Sequence, residues 1–286
     1  MQVQRRDVKG PSMTTSDLQA LRIERPEPGL AEVFVLGPSR GNAMGPDFWR
    51  EAPDVFAALG ADTTVRAIIV RGAGKTFSTG LDIAGMAPTL VPVASGGADG
   101  RATVMKLGQD MQRSFSAVAE CTQPVIAAID GWCIGAGLEL AAACDFRLAT
   151  TKAKFSLREV KLSMVSDLGG LQRLPFIIGE GHAREMALTG DDYTAEDACR
   201  MGLVSRVFED AEALSNAARG LARKVADNPP LAVAATKRAM NARLAESIKA
   251  SLHEALSHNS ALLQTRDFQE GVMALMEGRP ARFSGA

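Results

Sequence analysis

The apolar positions of this chain fall into two kinds of run. Val33-Phe34-Val35-Leu36, Ala67-Ile68-Ile69-Val70 and residues 124–129 are short and continuous, the pattern of strands buried on both faces. Residues 46–59, stopped by Gly60, and residues 103–121 instead repeat at helical spacing. Residues 138–143 predict a short Ala-rich helix, and 146–149, 154–157 and 203–208 predict short strands. From Asp210 onward the pattern is helical, with a stop at Asn228-Pro229-Pro230. Residues 71–81 form a Gly-rich loop, and 89–100 are rich in Pro, Ser and Gly, predicting a mobile loop. Residues 1–17 carry charge without an apolar face and predict a flexible arm. Strands alternating with helices, followed by helices alone, predict an α/β core over 18–209 and a helical region over 210–286.

Composition narrows the class. The 286 residues are 46% hydrophobic and 23% charged, which excludes global disorder. The 32 basic and 33 acidic residues leave a net charge of −1, so no basic surplus points to nucleic acid. The most apolar stretch, 125–144, is interrupted by Asp130 and Glu139, and no membrane span is expected. No secretory leader precedes it, so a cytoplasmic enzyme is expected. Cys121, Cys133, Cys144 and Cys199 form no CxxC pair, and with three His in the chain no zinc site or other metal is expected.

Three familiar glycine motifs fail. Gly74-Lys75-Thr76 ends like a phosphate-binding loop, but Ile69 stands where the opening Gly belongs. Gly135-Ala136-Gly137 starts like a dinucleotide fingerprint, but Leu140 replaces its third Gly. Thr76-Phe77-Ser78-Thr79-Gly80 lacks the first Gly of a nucleophile elbow. What the two glycine loops share is position. Each follows a buried strand and leads toward a helix, where backbone N–H groups lack helical partners. Two such amides aimed at one point can hold an oxygen on which negative charge develops.

Phe77-Ser78-Thr79-Gly80-Leu81-Asp82-Ile83, 124–131 followed by Gly135-Ala136-Gly137, and Gly41-Asn42-Ala43-Met44 together resemble segments of the crotonase (enoyl-CoA hydratase/isomerase) superfamily. Leu171-Gln172-Arg173-Leu174-Pro175, Glu270-Gly271-Val272 and Arg279-Pro280 also fit, in order, over roughly residues 20–283. The resemblance implies a crotonase-like ββα spiral core with a C-terminal helical trimerisation region. It implies oxyanion amides at Leu81 and Ala136, the latter where the family usually has Gly. It also implies contacts to coenzyme A or substrate from Arg40, Asn42, Ala43, Met44, Ser78, Thr79, Gly80, Asp82, Ile83 and Gly135. Coenzyme A is then part of an acyl-CoA substrate, no separate cofactor is implied, and the chain self-associates as a homotrimer or a dimer of trimers.

Proton transfer needs carboxylates, and three acids are placed to supply it. Glu139 lies in an apolar helix, where a charge is costly without partner or purpose. Glu159 sits in Arg158-Glu159-Val160-Lys161 and Asp167 in Ser166-Asp167-Leu168-Gly169, where a surface ion pair and a helix cap compete with catalysis. Family hydratases resemble the chain at Glu139 and Glu159, and dienoyl-CoA isomerases at Glu159 and Asp167. The text around Cys133-Ile134-Gly135 and over 166–175 looks more like the isomerase subgroup. The preferred reading is therefore Δ3,5-Δ2,4-dienoyl-CoA isomerisation, with Glu159 and Asp167 as the working pair and Glu139 tuning them. Hydration of a 2-enoyl-CoA by Glu139 and Glu159, or a non-catalytic acyl-CoA or RNA-binding homologue, are the alternatives.

Overall fold

A computed structural model describes residues 18–37, 41–94 and 96–286. The arm predicted over 1–17, and Arg40, lie outside them. The strands are β1 (Leu21–Glu24), β2 (Leu30–Val35), β3 (Ala67–Gly72), β4 (Val125–Ile129), β5 (Trp132–Ile134), β6 (Phe146–Thr150), β7 (Lys154–Ser156), β8 (Tyr193–Thr194) and β9 (Arg206–Phe208). The core helices are α1 (Pro46–Ala61), α2 (Ile83–Ala94), α3 (Gly97–Glu120), α4 (Ala136–Ala143), α5 (Gly170–Ile178), α6 (Glu180–Thr189) and α7 (Ala195–Arg200). The C-terminal region holds α8 (Ala211–Ala226), α9 (Pro230–Ala242), α10 (Ala245–Leu262) and α11 (Arg266–Glu277).

One six-stranded sheet runs β1-β2-β3-β4-β6-β9, parallel except for β1. A second, three-stranded sheet runs β5-β7-β8. The continuous apolar runs are explained by burial on both faces of the large sheet. Ile68, Val70, Val125, Ala127 and Ile129 pack toward α1, α3 and α4. The alternate residues Ala67, Ile69, Ile126 and Ala128 pack against Leu214, Ala218 and Ala222 of α8. Each Val, Leu or Ile among them contributes about 1.5–3 kcal/mol by leaving water. Thus α8 belongs energetically to the core, although the sequence pattern groups it with the helical region.

Two anchors use buried charge. Glu32 of β2 is held by Arg219 Nε of α8 at 2.6 Å, with Arg71 at 3.5 Å. Glu51 of α1 accepts the N–H groups of Gln19, Ala20 and Leu21, which pins the edge strand β1.

One expectation is corrected. The loop expected over 89–100 is helical on both sides of residue 95, as the end of α2 and the start of α3. Met86 is buried and Leu90 packs against the core, so one apolar face of α2 outweighs its weak helix formers. The strand ends also shift, with the last strand starting at Arg206 rather than Leu203.

Candidate active site

The site is assembled by zipping four backbone segments together. Met44 N–H donates to Gly80 O at 2.7 Å, and Asp82 N–H to Met44 O at 3.0 Å. Ser78 N–H donates to Trp132 O at 2.9 Å, and Ile134 N–H to Ser78 O at 3.0 Å. Gly135 N–H donates to Ser156 O at 2.9 Å, adding β7. The two glycine loops are therefore neighbours. Gly80 has φ +88°, and a Cβ there would stand 2.8 Å from Ile134 O and 3.2 Å from the Ala136 amide nitrogen. Among the described hydrogen bonds, neither Leu81 N–H nor Ala136 N–H has a protein acceptor. Ala136 opens α4, so its amide also carries the positive end of that helix.

Both residues line a cavity of about 890 Å³. The same cavity is bordered by Glu139, Glu159 and Asp167, so three acids up to 28 positions apart converge on one space. Ala43, Thr79, Gly80, Asp82, Ile83 and Gly135 line it as well. Asn42, Met44 and Ser78 do not. The Asn42 amide donates to Ala73 O and Thr76 O, Ser78 Oγ donates to Asn42 O, and Met44 is wholly buried. These three hold the loops in shape from behind.

The acids differ in how they are held. Glu139 is buried, and its Oε1 accepts from Ser166 Oγ at 2.5 Å, Gly170 N–H at 2.8 Å and Leu168 N–H at 3.1 Å. Burial raises its proton affinity, while those three donors and nearby Arg173 oppose the rise. Glu159 lies in a 3-10 turn (Glu159–Leu162), beside Gly135, where a Cβ would come within 3.0 Å of Glu159 Oε1. Its Oε2 is buried and without a hydrogen-bond partner. Burial, then the charges of Glu139 and Asp167, pushes its carboxyl well above the usual range. Asp167 accepts one side-chain bond, from Asn259 Nδ2 at 2.8 Å. Burial, then the charge of Glu139, pushes it up to about 7, against the opposing pull of Asn259. Burial thus raises the proton affinity of all three carboxyls, but only Glu139 is clamped by several donors that oppose the rise, an arrangement suited to moving protons near neutral pH.

Similarity to known proteins gives the family. A family model described as enoyl-CoA hydratase/isomerase matches residues 26–286. The chain belongs to this family, the crotonases. Among its crotonase relatives, a mitochondrial Delta(3,5)-Delta(2,4)-dienoyl-CoA isomerase of Dictyostelium discoideum is 36% identical, covering 94% of this chain and 92% of that protein. An (E)-benzylidenesuccinyl-CoA hydratase of Thauera aromatica is 37% identical, covering 90% and 96%. A solved enoyl-CoA hydratase/isomerase from Mycobacterium paratuberculosis superposes with TM-score 0.79 at 30% identity, covering 92% and 99%. The protein is thus a crotonase-family enzyme with the crotonase fold. No described helix is long and apolar enough to cross a membrane.

Several lining residues escaped the sequence reading. Trp132, 38% exposed, borders the cavity and stacks on Arg158, which in turn grips Asp192 with two bonds of 2.6 Å. Gly271, Ala274, Leu275 and Arg279 of the last helix and its end reach the same space. Gly271 permits this, because a Cβ there would lie 3.0 Å from Leu162 Cα. The Glu270-Gly271 and Arg279-Pro280 text was visible, but only the folded chain shows which cavity it closes.

Proposed function

We propose that this crotonase isomerises a 3,5-dienoyl-CoA to its 2,4-isomer. The thioester oxygen docks on the N–H groups of Leu81 and Ala136. One carboxyl takes a proton from C2, leaving a dienolate whose charge the two amides hold. A second carboxyl delivers a proton to C6, so the substrate gains and loses one proton and no redox partner is required.

The observation that carries this reading is the unequal holding of the three acids. Oε1 of Glu139 is occupied by three donors, which suits an orienting, charge-bearing role. Glu159 and Asp167 have at most one side-chain donor each to oppose the effect of burial, which suits proton exchange. The 36% identity to a dienoyl-CoA isomerase over nearly the whole chain supports it. Glu139 and Glu159 also border one cavity, as water addition to a 2-enoyl-CoA would need, and a hydratase relative is equally similar.

The test offers purified protein each substrate separately, with Asp167→Asn and Glu139→Gln variants. Asp167→Asn is expected to lower dienoyl-CoA turnover about 10²-fold or more. Fast hydration with dienoyl-CoA turnover indifferent to Asp167 would overturn the isomerase reading in favour of hydration.

We also propose self-association as a homotrimer or a dimer of trimers, in the cytoplasm. Leu231, Met240, Leu275 and Met276 of the C-terminal helices are 57–84% exposed in the single chain, more apolar surface than a solvated helix face needs. Light scattering would report the assembly. Fractionation would test the compartment, since relatives are named as mitochondrial and peroxisomal forms.

A further inference from the structure

Asn259 lies on α10, 92 positions beyond Asp167, and is almost wholly buried. Its side-chain amide makes three bonds, all to the loop that carries Asp167. Oδ1 accepts from Val165 N–H at 2.8 Å, and Nδ2 donates to Val165 O at 2.7 Å and to Asp167 Oδ2 at 2.8 Å. The first two bonds fix which end of the amide is which. A flipped amide would set NH₂ against N–H and oxygen against oxygen at Val165. The remaining N–H is thereby committed to Asp167. The loop is stitched to α10 a second time, because Gln112 of α3 donates to both Asp167 O at 2.7 Å and Leu252 O at 3.1 Å.

We propose that Asn259 is a positioning residue for the reaction, an obligate donor from the C-terminal helical region that aims the Asp167 carboxyl into the cavity and favours its ionised form. The proposal rests on the isomerase reading for its kinetic part only. The groups facing Asp167 are Glu139 of α4, Glu159 of the 3-10 turn, Asn259 of α10 and, behind Glu139, Arg173 of α5. Arg158, Lys161 and Arg279 border the same cavity but are paired with Asp192, Asp191 and Glu270. Asn259 is thus the one side chain that donates directly to Asp167 among the described hydrogen bonds.

The test uses Asn259→Ala, which deletes the amide, and the isosteric Asn259→Asp, which keeps an acceptor for Val165 N–H but removes the donor. Circular dichroism checks that each is folded. The carboxyl ¹³C resonance of Asp167, assigned by its loss in Asp167→Asn, is titrated in each protein. Both variants are expected to move the Asp167 titration to higher pH, Asn259→Asp further than Asn259→Ala. With 3,5-dienoyl-CoA, kcat is expected to fall about tenfold with KM changed less than about threefold, and the limb of the kcat–pH profile that depends on Asp167 to move to higher pH with the titration. In an Asp167→Asn background the same Asn259 changes are expected to have little further effect. An unmoved Asp167 titration in both folded variants overturns the proposal. So does a loss of turnover equally large with Asn at 167. If the parent protein shows no Asp167-dependent turnover, the isomerase reading fails, while the titration still decides the role of Asn259.

Discussion

Substituting Gly80 with Ala should separate the oxyanion site from everything else the fold does. Gly80 sits at φ +88°, and an added Cβ would approach Ile134 O to 2.8 Å and the Ala136 nitrogen to 3.2 Å. Both neighbours are backbone, so the loops themselves must part by several tenths of an ångström. The Gly80–Leu81 peptide carries one amide of the proposed pair, and Ala136 carries the other. Left-handed backbone strain costs about 1–2 kcal/mol for Ala. A misaligned oxyanion donor costs roughly 10²–10³ in kcat, from the value of a single such bond in a dry site. The expected result is a folded protein, mildly destabilised, with kcat on dienoyl-CoA lowered about 100-fold and substrate binding changed little. Gly74→Ala is the control, because Gly74 has φ +72° but nothing within 4 Å of its added Cβ. It should carry the strain without the catalytic loss. Full kcat in Gly80→Ala would refute the assignment of Leu81 and Ala136.

Three further outcomes are expected. Ser166→Ala removes the 2.5 Å donor to Glu139, which should cost about 2 kcal/mol in denaturant titrations and raise the Glu139 carboxyl further, moving the acid limb of the pH–rate profile upward. Unchanged values of both would show that Ser166 does not hold Glu139. Asp167 ionises at about 7 in the folded chain against an ordinary 3.8, so the folded state holds the extra proton between those values and stability falls as pH rises from 4 to 7. The contribution is at most about 4 kcal/mol, and Asp167→Asn should remove it, giving a larger gain at pH 8 than at pH 4 by chemical denaturation. Lys237→Ala strands the Asp145 carboxylate that Lys237 Nζ reaches at 2.7 Å from α9, and should cost about 2–3 kcal/mol in the same assay.

How far the sequence reached depended on the range of the interaction involved. The apolar runs within β2, β3 and β4 were legible because both faces of those strands are buried; in β2 the run starts only after Glu32, whose charge is met by Arg219 of α8. Edge strand β1 alternates buried and exposed residues over only four positions, and β5 spans three, too short for a period to register. Segment 89–100 was misread because Gly and Pro weigh locally against a helix that long-range packing of Met86 and Leu90 stabilises. In the site, the glycine loops and three acids were legible as motifs. That Asn42, Met44 and Ser78 brace the loops instead of lining the cavity was not, because the partner carbonyls at Ala73 and Thr76 come from a different turn. Nor was the reach of Asn259 and the last helix, which depends on how α10 and α11 fold back.

The proposed reaction removes a proton at C2, delivers another from a second carboxyl to C6 and adds no water. The most direct measurement is mass spectrometry of the product formed from a 3,5-dienoyl-CoA in D₂O. The expected product is a 2,4-dienoyl-CoA with the same carbon and oxygen count as the substrate, carrying deuterium at C6, formed at a rate that collapses in Asp167→Asn. A product heavier by one water, or substrate returned without deuterium at C6, would contradict it.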